Sequence, residues 1–245
     1  MKVYLLSNTP EPDGLVAAAA RICYSDTTAS DLLKRESATL SARLLKELRL
    51  SGHHSPFEHV SFTFGVDGLS RVASHQLVRH RIASFSQQSQ RYVKIDDGSK
   101  GMVTPPSVTG SPEAAELFTR QAEDACKAYK KLVAMGIPME DARFILPHGW
   151  ETRLVLTMNA RELHHFFSLR LCRRAQWEIR ELARLMLIGC RSVAPVIFDV
   201  AGPSCVSRVP GECRESRSCG IPYDGMEDLL AEKEHCRGGW QSARD

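Results

Sequence analysis

The chain has 245 residues, of which 43% are hydrophobic and 25% charged, the proportions of an ordinary globular protein. Its formal charge is only +3, too small for a polycationic nucleic-acid coat, and no apolar run approaches the ~18–20 residues that a membrane span needs. The eight cysteines are irregularly spaced and no export signal precedes them, which favours reduced thiols in a cytoplasm.

In chain order, "KVYLL" reads as a first strand followed by the turn-rich "SNTPEPDG", and "LVAAAARICY" as a short helix. From Ser30, taken as the cap, leucines at 32, 33, 40, 44, 45 and 48 give an amphipathic helix that Gly52 ends. Val60, Phe62, Phe64 and Val66 alternate with small or polar residues, the period-2 pattern of a half-buried strand. "LSRVASHQLVRH" is helical by its apolar spacing, so Arg79 and Arg81 fall where that helix gives way to a loop.

Residues 94–112 are a loop by composition. Ser111 and Pro112 then open a long helix that ends before Gly136, and "MEDARFIL" is a shorter one closed by Pro147. "TRLVLTM" reads as another strand. "NARELHHFFSLRL" is a helix with Asn159 as cap and Glu162 in capping-box position, and "AQWEIRELARLMLIGCRSV" is a long helix closed by Pro195. Helices and strands mix without βαβ repetition, so the expected class is α+β, a mixed and mainly antiparallel sheet packed with long helices. Residues 1–202 form one domain in this reading. Residues 203–245, with Cys205, Cys213, Cys219 and Cys236, form an appended tail of little apolar periodicity.

The charge is unevenly placed. No acid occurs between Asp67 and Asp96, while Arg71, Arg79, His80, Arg81, Arg91 and Lys94 all do. Guanidinium groups match phosphate or carboxylate oxygens in a planar fork and do not titrate, and "SFSQQSQ" adds hydroxyls and amides suited to ribose or base edges. From the residues alone this is an anion or nucleotide site, with a solvated basic helix end as the plainer alternative. Arg143, Arg161 and Arg170 lie on largely apolar segments, where each could pair with Glu151, Glu162 or Glu178; Arg161 and His165 share a helix face. The remaining histidines include no H-E-x-x-H, and the tail cysteines lack paired C-x2-C spacing, so no metal is expected.

"RHRIASFSQQS" fits the pattern R-H-R, seven residues, S, with "GHHSPFEH" before it and "RY", "NAR", "SLR" and "AQWEI" after it. In this ordered set the chain resembles the flavin-dependent thymidylate synthase family from about Gly52 to Val193. The resemblance implies FAD as cofactor, NADPH as reductant, 5,10-methylenetetrahydrofolate as one-carbon donor, dUMP as substrate, and a homotetramer whose subunits share active sites. It implies flavin contacts from Ser55, Arg79, His80, Arg81, Gln87, Asn159, Ala160, Arg161 and His165. It implies dUMP contacts from Gln76, Leu77, Val78, Arg79, Gln87, Gln88, Ser89, Gln90, Arg91, Arg143 and Arg170.

Arg170 is the expected catalytic residue, since a permanent cation beside the pyrimidine stabilises the anion that makes carbon 5 nucleophilic. Ser89 has no general base nearby in sequence and is read as a binding group. Ser86-Gln87 stands where many members carry Asn-Glu, which puts proton handling at that position in doubt. Two other readings are weighed: a flavin- and folate-dependent methyltransferase acting on uracil in RNA, and a non-catalytic nucleic-acid-binding module.

Overall fold

The computed structural model describes residues 1–35, 38–95, 101–232 and 239–241. Strand β1 (Lys2–Asn8) leads into α1 (Pro12–Arg21), α2 (Ala29–Arg35) and α3 (Ala38–Ser51). The α1 helix starts three residues before "LVAAAARICY", with Pro12 in its first turn, where the missing N–H costs nothing. The cap expected at Ser30 is provided instead by Thr28, whose Oγ1 accepts from Asp31 N at 3.3 Å. Strand β2 (Ser61–Ser70) is followed directly by α4 (Arg71–Leu77), and β3 (Ala83–Gln87) falls where only a loop was expected. Then come α5 (Pro106–Thr109), α6 (Pro112–Ala134), α7 (Met139–Ala142), β4 (Glu151–Asn159), α8 (Ala160–Arg170) and α9 (Trp177–Val193). Two short helices, α10 (Ser204–Ser207) and α11 (Met226–Ala231), and strand β5 (Gly239–Gln241) complete the order. Part of the loop read over 94–112 lies outside the described residues, as does Cys236.

The sheet order is β3-β4-β2-β1-β5; the pairs β1/β2, β2/β4 and β3/β4 are antiparallel and β1/β5 is parallel. This is the mixed, mainly antiparallel α+β arrangement expected. A register shift between Asp67 and Leu69 is made at Gly68, whose φ of 75° favours glycine. One face of the sheet, with Val3, Phe62, Phe64, Val66, Leu154, Leu156 and Met158, is buried under α8, α9 and α1. The other is open, and Leu6 and Val155 are 50% and 41% exposed on it.

Two acidic residues tie elements together across the core. Asp13 accepts from Val196 N and Ile197 N at 3.1 and 2.9 Å, fixing the segment after α9 against α1. Glu178, in the first turn of α9, accepts from Ser70 N at 2.6 Å and Ser70 Oγ at 2.5 Å, while Ser70 Oγ caps α4 by accepting from Ala73 N. That pair holds the start of α4, and the basic segment after it, in register with α9.

Described residues after Gly202 pack on the body of the protein. Cys205, Val206, Tyr223 and Leu229 join the main core, Arg173 lies 4.2 Å from the Tyr223 ring centre, and Arg184 Nη1 donates to Leu230 O at 3.2 Å. Their apolar residues are few and irregularly spaced, so sequence periodicity does not reveal them.

Candidate active site

Helix α4 delivers Arg79, His80 and Arg81 to a turn, and β3 leaves that turn to pair with β4. Helix α8 begins at the same end of β4, next to Met158, the partner of Ala83, with Asn159 Oδ1 accepting from Glu162 N at 2.9 Å as the spacing suggested. Between them lies a cavity of about 1130 Å³, lined from these segments by Arg79, His80, Arg81, Asn159, Arg161, Glu162, His165 and Arg170, among others. His54 and Glu58 close one side and Ser204, Ser207, Arg208, Arg214 and Glu215 another.

The cations here are largely uncompensated. The side chains of Arg79, Arg81, Arg208 and Arg214 have no hydrogen-bond or ion-pair partner among the described residues. Arg161 is paired, but with Glu58 and not with any of the three acids weighed from sequence. Arg170 has no carboxylate partner among the described residues. Its Nε donates to His80 Nε2 at 3.1 Å and its Nη2 to Gln76 O at 3.3 Å. Burial draws its pKa below the usual arginine value.

His80 is buried, with Nδ1 3.0 Å from Glu162 Oε1. Burial lowers its pKa, a shift that Glu162 opposes and that Arg170 and His165 reinforce. The side chain of Glu162 therefore does not complete the capping box; it turns inward to His80. His80, Glu162 and His165 lie close enough together to hold a metal ion, yet both ring nitrogens of His80 are already engaged. His164 stacks on Phe198 and meets Phe57 edge-on, and its Nε2 is buried without a partner. Burial, followed by Arg49 and His54, pushes its pKa down to about 3.

A second cavity, of about 280 Å³, lies at the far end of β3. It is lined by Arg71, Gln88, Ser89, Gln90, Trp150, Thr152 and Arg153, among others. Arg71 Nη2 donates to Gln88 O at 3.0 Å, while its Nε is buried without a partner. Burial and then Arg143 lower its pKa. Ser89 Oγ accepts from Arg91 N at 3.1 Å, and among the described residues no histidine or carboxylate is hydrogen-bonded to it. Gln87 Nε2 is 3.2 Å from both Ser74 Oγ and Thr152 Oγ1, a structural tie between β3, α4 and β4. A glycine is needed at 101, where a Cβ would stand 2.7 Å from the Trp150 ring.

The structure thus divides the residues that resemblance grouped. Six of the nine flavin candidates line the large cavity. Ser55 is exposed beside its lining neighbours His54 and Glu58, Ala160 is buried, and Gln87 belongs to β3. Among the dUMP candidates, Arg79 and Arg170 line the large cavity and the Gln76 carbonyl accepts from Arg170, while Gln88, Ser89 and Gln90 line the small one. Arg91 and Arg143 lie outside both linings, Arg91 paired with Glu140 Oε2 at 2.7 Å and Arg143 bonded to Glu140 O at 3.1 Å. Leu77 is buried in the core with its carbonyl taken by His80 N, and Val78 caps α4.

Sequence reasoning assigned no site role to Arg71, Glu58, Glu162, His164 or the tail residues. Only Arg71 carried a signal, as one of the cations in the acid-free stretch.

Residues 4–196 match the family model described as thymidylate synthase complementing protein. The chain is 49% identical over 221 residues to the flavin-dependent thymidylate synthase of Geobacter sulfurreducens, covering 90% of this chain and 94% of that one. It is 44% identical over 237 residues to the enzyme of the same name from Clostridium tetani, covering 90% and 93%. Among solved structures it is similar to a UMP/dUMP methylase, PolB of Streptomyces cacaoi, bound with 5-Br dUMP. That match has a TM-score of 0.69 at 29% identity and covers 80% of this chain and 92% of that one.

Proposed function

The chain belongs to the thymidylate synthase complementing protein family, and on that premise we propose that its two basic cavities are the parts of one active site, the larger for FAD and the smaller for the phosphate end of dUMP. Its activity is flavin-dependent synthesis of thymidylate, a methyl transfer. The reaction is the reductive methylation of dUMP to dTMP, with 5,10-methylenetetrahydrofolate as one-carbon donor and NADPH as reductant.

The observation that carries this reading is the excess of permanent cations on the large cavity: six arginines line it against Glu58, Glu162 and Glu215, and among the described residues only Arg161 of the six has a carboxylate partner. At about 1130 Å³ the cavity exceeds the ~300–1,000 Å³ typical of small-molecule sites, as a dinucleotide would need. Arg79 and Arg81 take the pyrophosphate, and Asn159, Arg161 and His165 take its polar edges. A bound flavin supplies the redox chemistry, and the protein orients it and the pyrimidine. Arg170, held by His80 and the Gln76 carbonyl, places a fixed positive charge beside the pyrimidine ring and favours its ionised form. Gln88, Ser89 and Gln90 with Arg71 bind the nucleotide phosphate.

Because Arg170 and Gln88–Gln90 line different cavities of one chain, the complete site is shared between copies, as in a homotetramer. The open sheet face bearing Leu6 and Val155 is a surface such an assembly would cover. The seven described cysteines are free thiols, which supports a reducing, cytoplasmic setting.

The first test is the visible spectrum of the purified protein after FAD is added and the excess removed. Retained flavin bands that shift with dUMP and bleach with NADPH support the assignment. A colourless protein that refuses FAD overturns it. Mixing an Arg170→Ala preparation with a Ser89→Ala preparation tests sharing: activity above that of either alone is expected, and no recovery after subunit exchange refutes it.

A further inference from the structure

Three side chains form a chain of contacts, of which the proposed function uses only the last, from His80 to Arg170. Glu162 Oε1 is 3.0 Å from His80 Nδ1, and His80 Nε2 is 3.1 Å from Arg170 Nε. The side chains of His80 and Glu162 are 3% and 7% exposed, so water does not substitute for either contact. The chemistry fixes every proton in this chain. A guanidinium Nε–H is always a donor, so His80 Nε2 is an acceptor and carries no proton. The neutral ring therefore bears its proton on Nδ1 and donates it to the Glu162 carboxylate. Phe166, with its ring centre 5.0 Å from that of His80, packs edge-on against the imidazole.

We propose that Glu162 is a positioning residue for the methyl-transfer reaction: through the Nδ1–H tautomer of His80 it fixes the guanidinium of Arg170 against the pyrimidine. This rests on the reading of Arg170 as the cation at the nucleotide ring. Two contacts, to His80 Nε2 and to Gln76 O, lock the Nε and one Nη of Arg170, while Nη1 has no partner among the described residues. The locked edge faces α4, and the free one remains available at the cavity that Arg170 lines. Arginine has large rotamer freedom, and a charge that must reorient during reaction stabilises the developing anion less than one already in place. A carboxylate behind a histidine also makes the remote nitrogen a better acceptor, as it does behind metal-bound histidines. Both ends of the chain sit on α8, so His80 closes the helix's first turn onto its last residue.

Acid breaks the chain in a defined way. A protonated His80 turns an N–H toward the Arg170 Nε–H, and two donors then face each other. The charged and titratable groups around His80 are Glu162, which favours the imidazolium, and Arg170 and His165, which oppose it, as does burial. Removing Glu162 removes the group that favours protonation.

The test uses full-length Glu162→Ala and Glu162→Gln, each checked for retained flavin spectrum. The expected result for Glu162→Ala is a fall in kcat of about 10- to 100-fold, the scale for a misplaced catalytic group, with the dUMP dissociation constant within about 3-fold. Glu162→Gln recovers much of the loss, because its carbonyl still accepts from Nδ1–H. Nitrogen-15 spectra of histidine-labelled protein without ligands give a readout independent of turnover. His80, assigned by its loss in His80→Gln, appears as the neutral Nδ1–H tautomer in the parent protein and moves toward Nε2–H in Glu162→Ala. A parent His80 protonated on Nε2, or a Glu162→Ala enzyme with unchanged kcat, overturns the proposal. If Arg170→Ala keeps normal turnover, the role of Arg170 falls instead, whatever the tautomer; if Arg170→Ala is inactive and Glu162→Ala is not, only the positioning claim fails.

Discussion

His164 offers a direct measure of what burial does to a titratable ring here. It lies between Phe198, at a ring-centre distance of 5.2 Å and an interplanar angle of 27°, and Phe57 at 5.7 Å, with Nε2 buried and unpartnered. Its pKa is about 3 in the folded protein, against about 6.5 when unfolded. The folded value is the lower one, so the unfolded state binds the proton first. The neutral ring's contribution is intact above about pH 6.5 and is lost as pH falls from there toward about 3. Between pH 6.5 and 5 this single group lowers stability by about 2 kcal/mol, at roughly 1.4 kcal/mol per pH unit. His80 and His54, also lowered, add to the same slope, while Asp13 and Glu178, raised by burial, act against it. A His164→Phe variant separates the one from the rest, since phenylalanine keeps the stacking and cannot titrate. Urea unfolding at pH 7 and pH 5, at one protein concentration and without flavin, should show the variant gaining about 2 kcal/mol on the parent between the two pH values. Parallel pH profiles for variant and parent would refute the argument, whatever their offset.

Two further outcomes are expected. Glu178→Ala leaves Ser70 N–H and the Ser70 hydroxyl without their acceptor and should cost about 2–5 kcal/mol in urea unfolding; Glu178→Gln should recover most of it, because one amide oxygen still meets Ser70 N. An equal loss in both variants would mean that charge, not hydrogen bonding, holds α9 to α4. Arg71→Met should weaken dUMP binding by about 10- to 100-fold in isothermal titration calorimetry, the scale of one or more charge-assisted hydrogen bonds, with a smaller effect on turnover at saturation. An unchanged dissociation constant would remove the small cavity from the nucleotide site.

The sequence carried much of the fold because most elements satisfy their own local rules. The alternation around Phe62 and Phe64, the Ser111-Pro112 opening of α6 and the Asn159 cap of α8 all appear in the structure where the residue types placed them. β3 was missed because Ala83–Gln87 is a short edge strand in which small and polar residues surround the single Phe85, and its pairing partner lies about 70 residues downstream. The cap of α2 shifted from Ser30 to Thr28 for a similar reason: several hydroxyls in "TTAS" satisfy the residue preference, and only backbone direction chooses among them.

The candidate site divides in the same way. The R-H-R-x7-S spacing and its flanking blocks are linear features that by themselves pointed to the family, the mix of strand and helix periodicities without βαβ repetition determined the α+β class, and the acid-free run of arginines marked candidate anion-binding groups. Which cations share a cavity is not linear information. Arg79 and Arg170 meet because α4 and α8 converge on one end of β4, whereas Ser89, closer in sequence to Arg79, is carried by β3 to the other end. Glu162 satisfied a helix-start pattern in sequence, and only the approach of His80 from a segment 82 residues away gave its carboxylate a different partner. Residue type fixes what a side chain can donate, accept or neutralise; the tertiary fold decides which group it faces, because desolvation and hydrogen bonding act over a few ångströms of space and not along the chain.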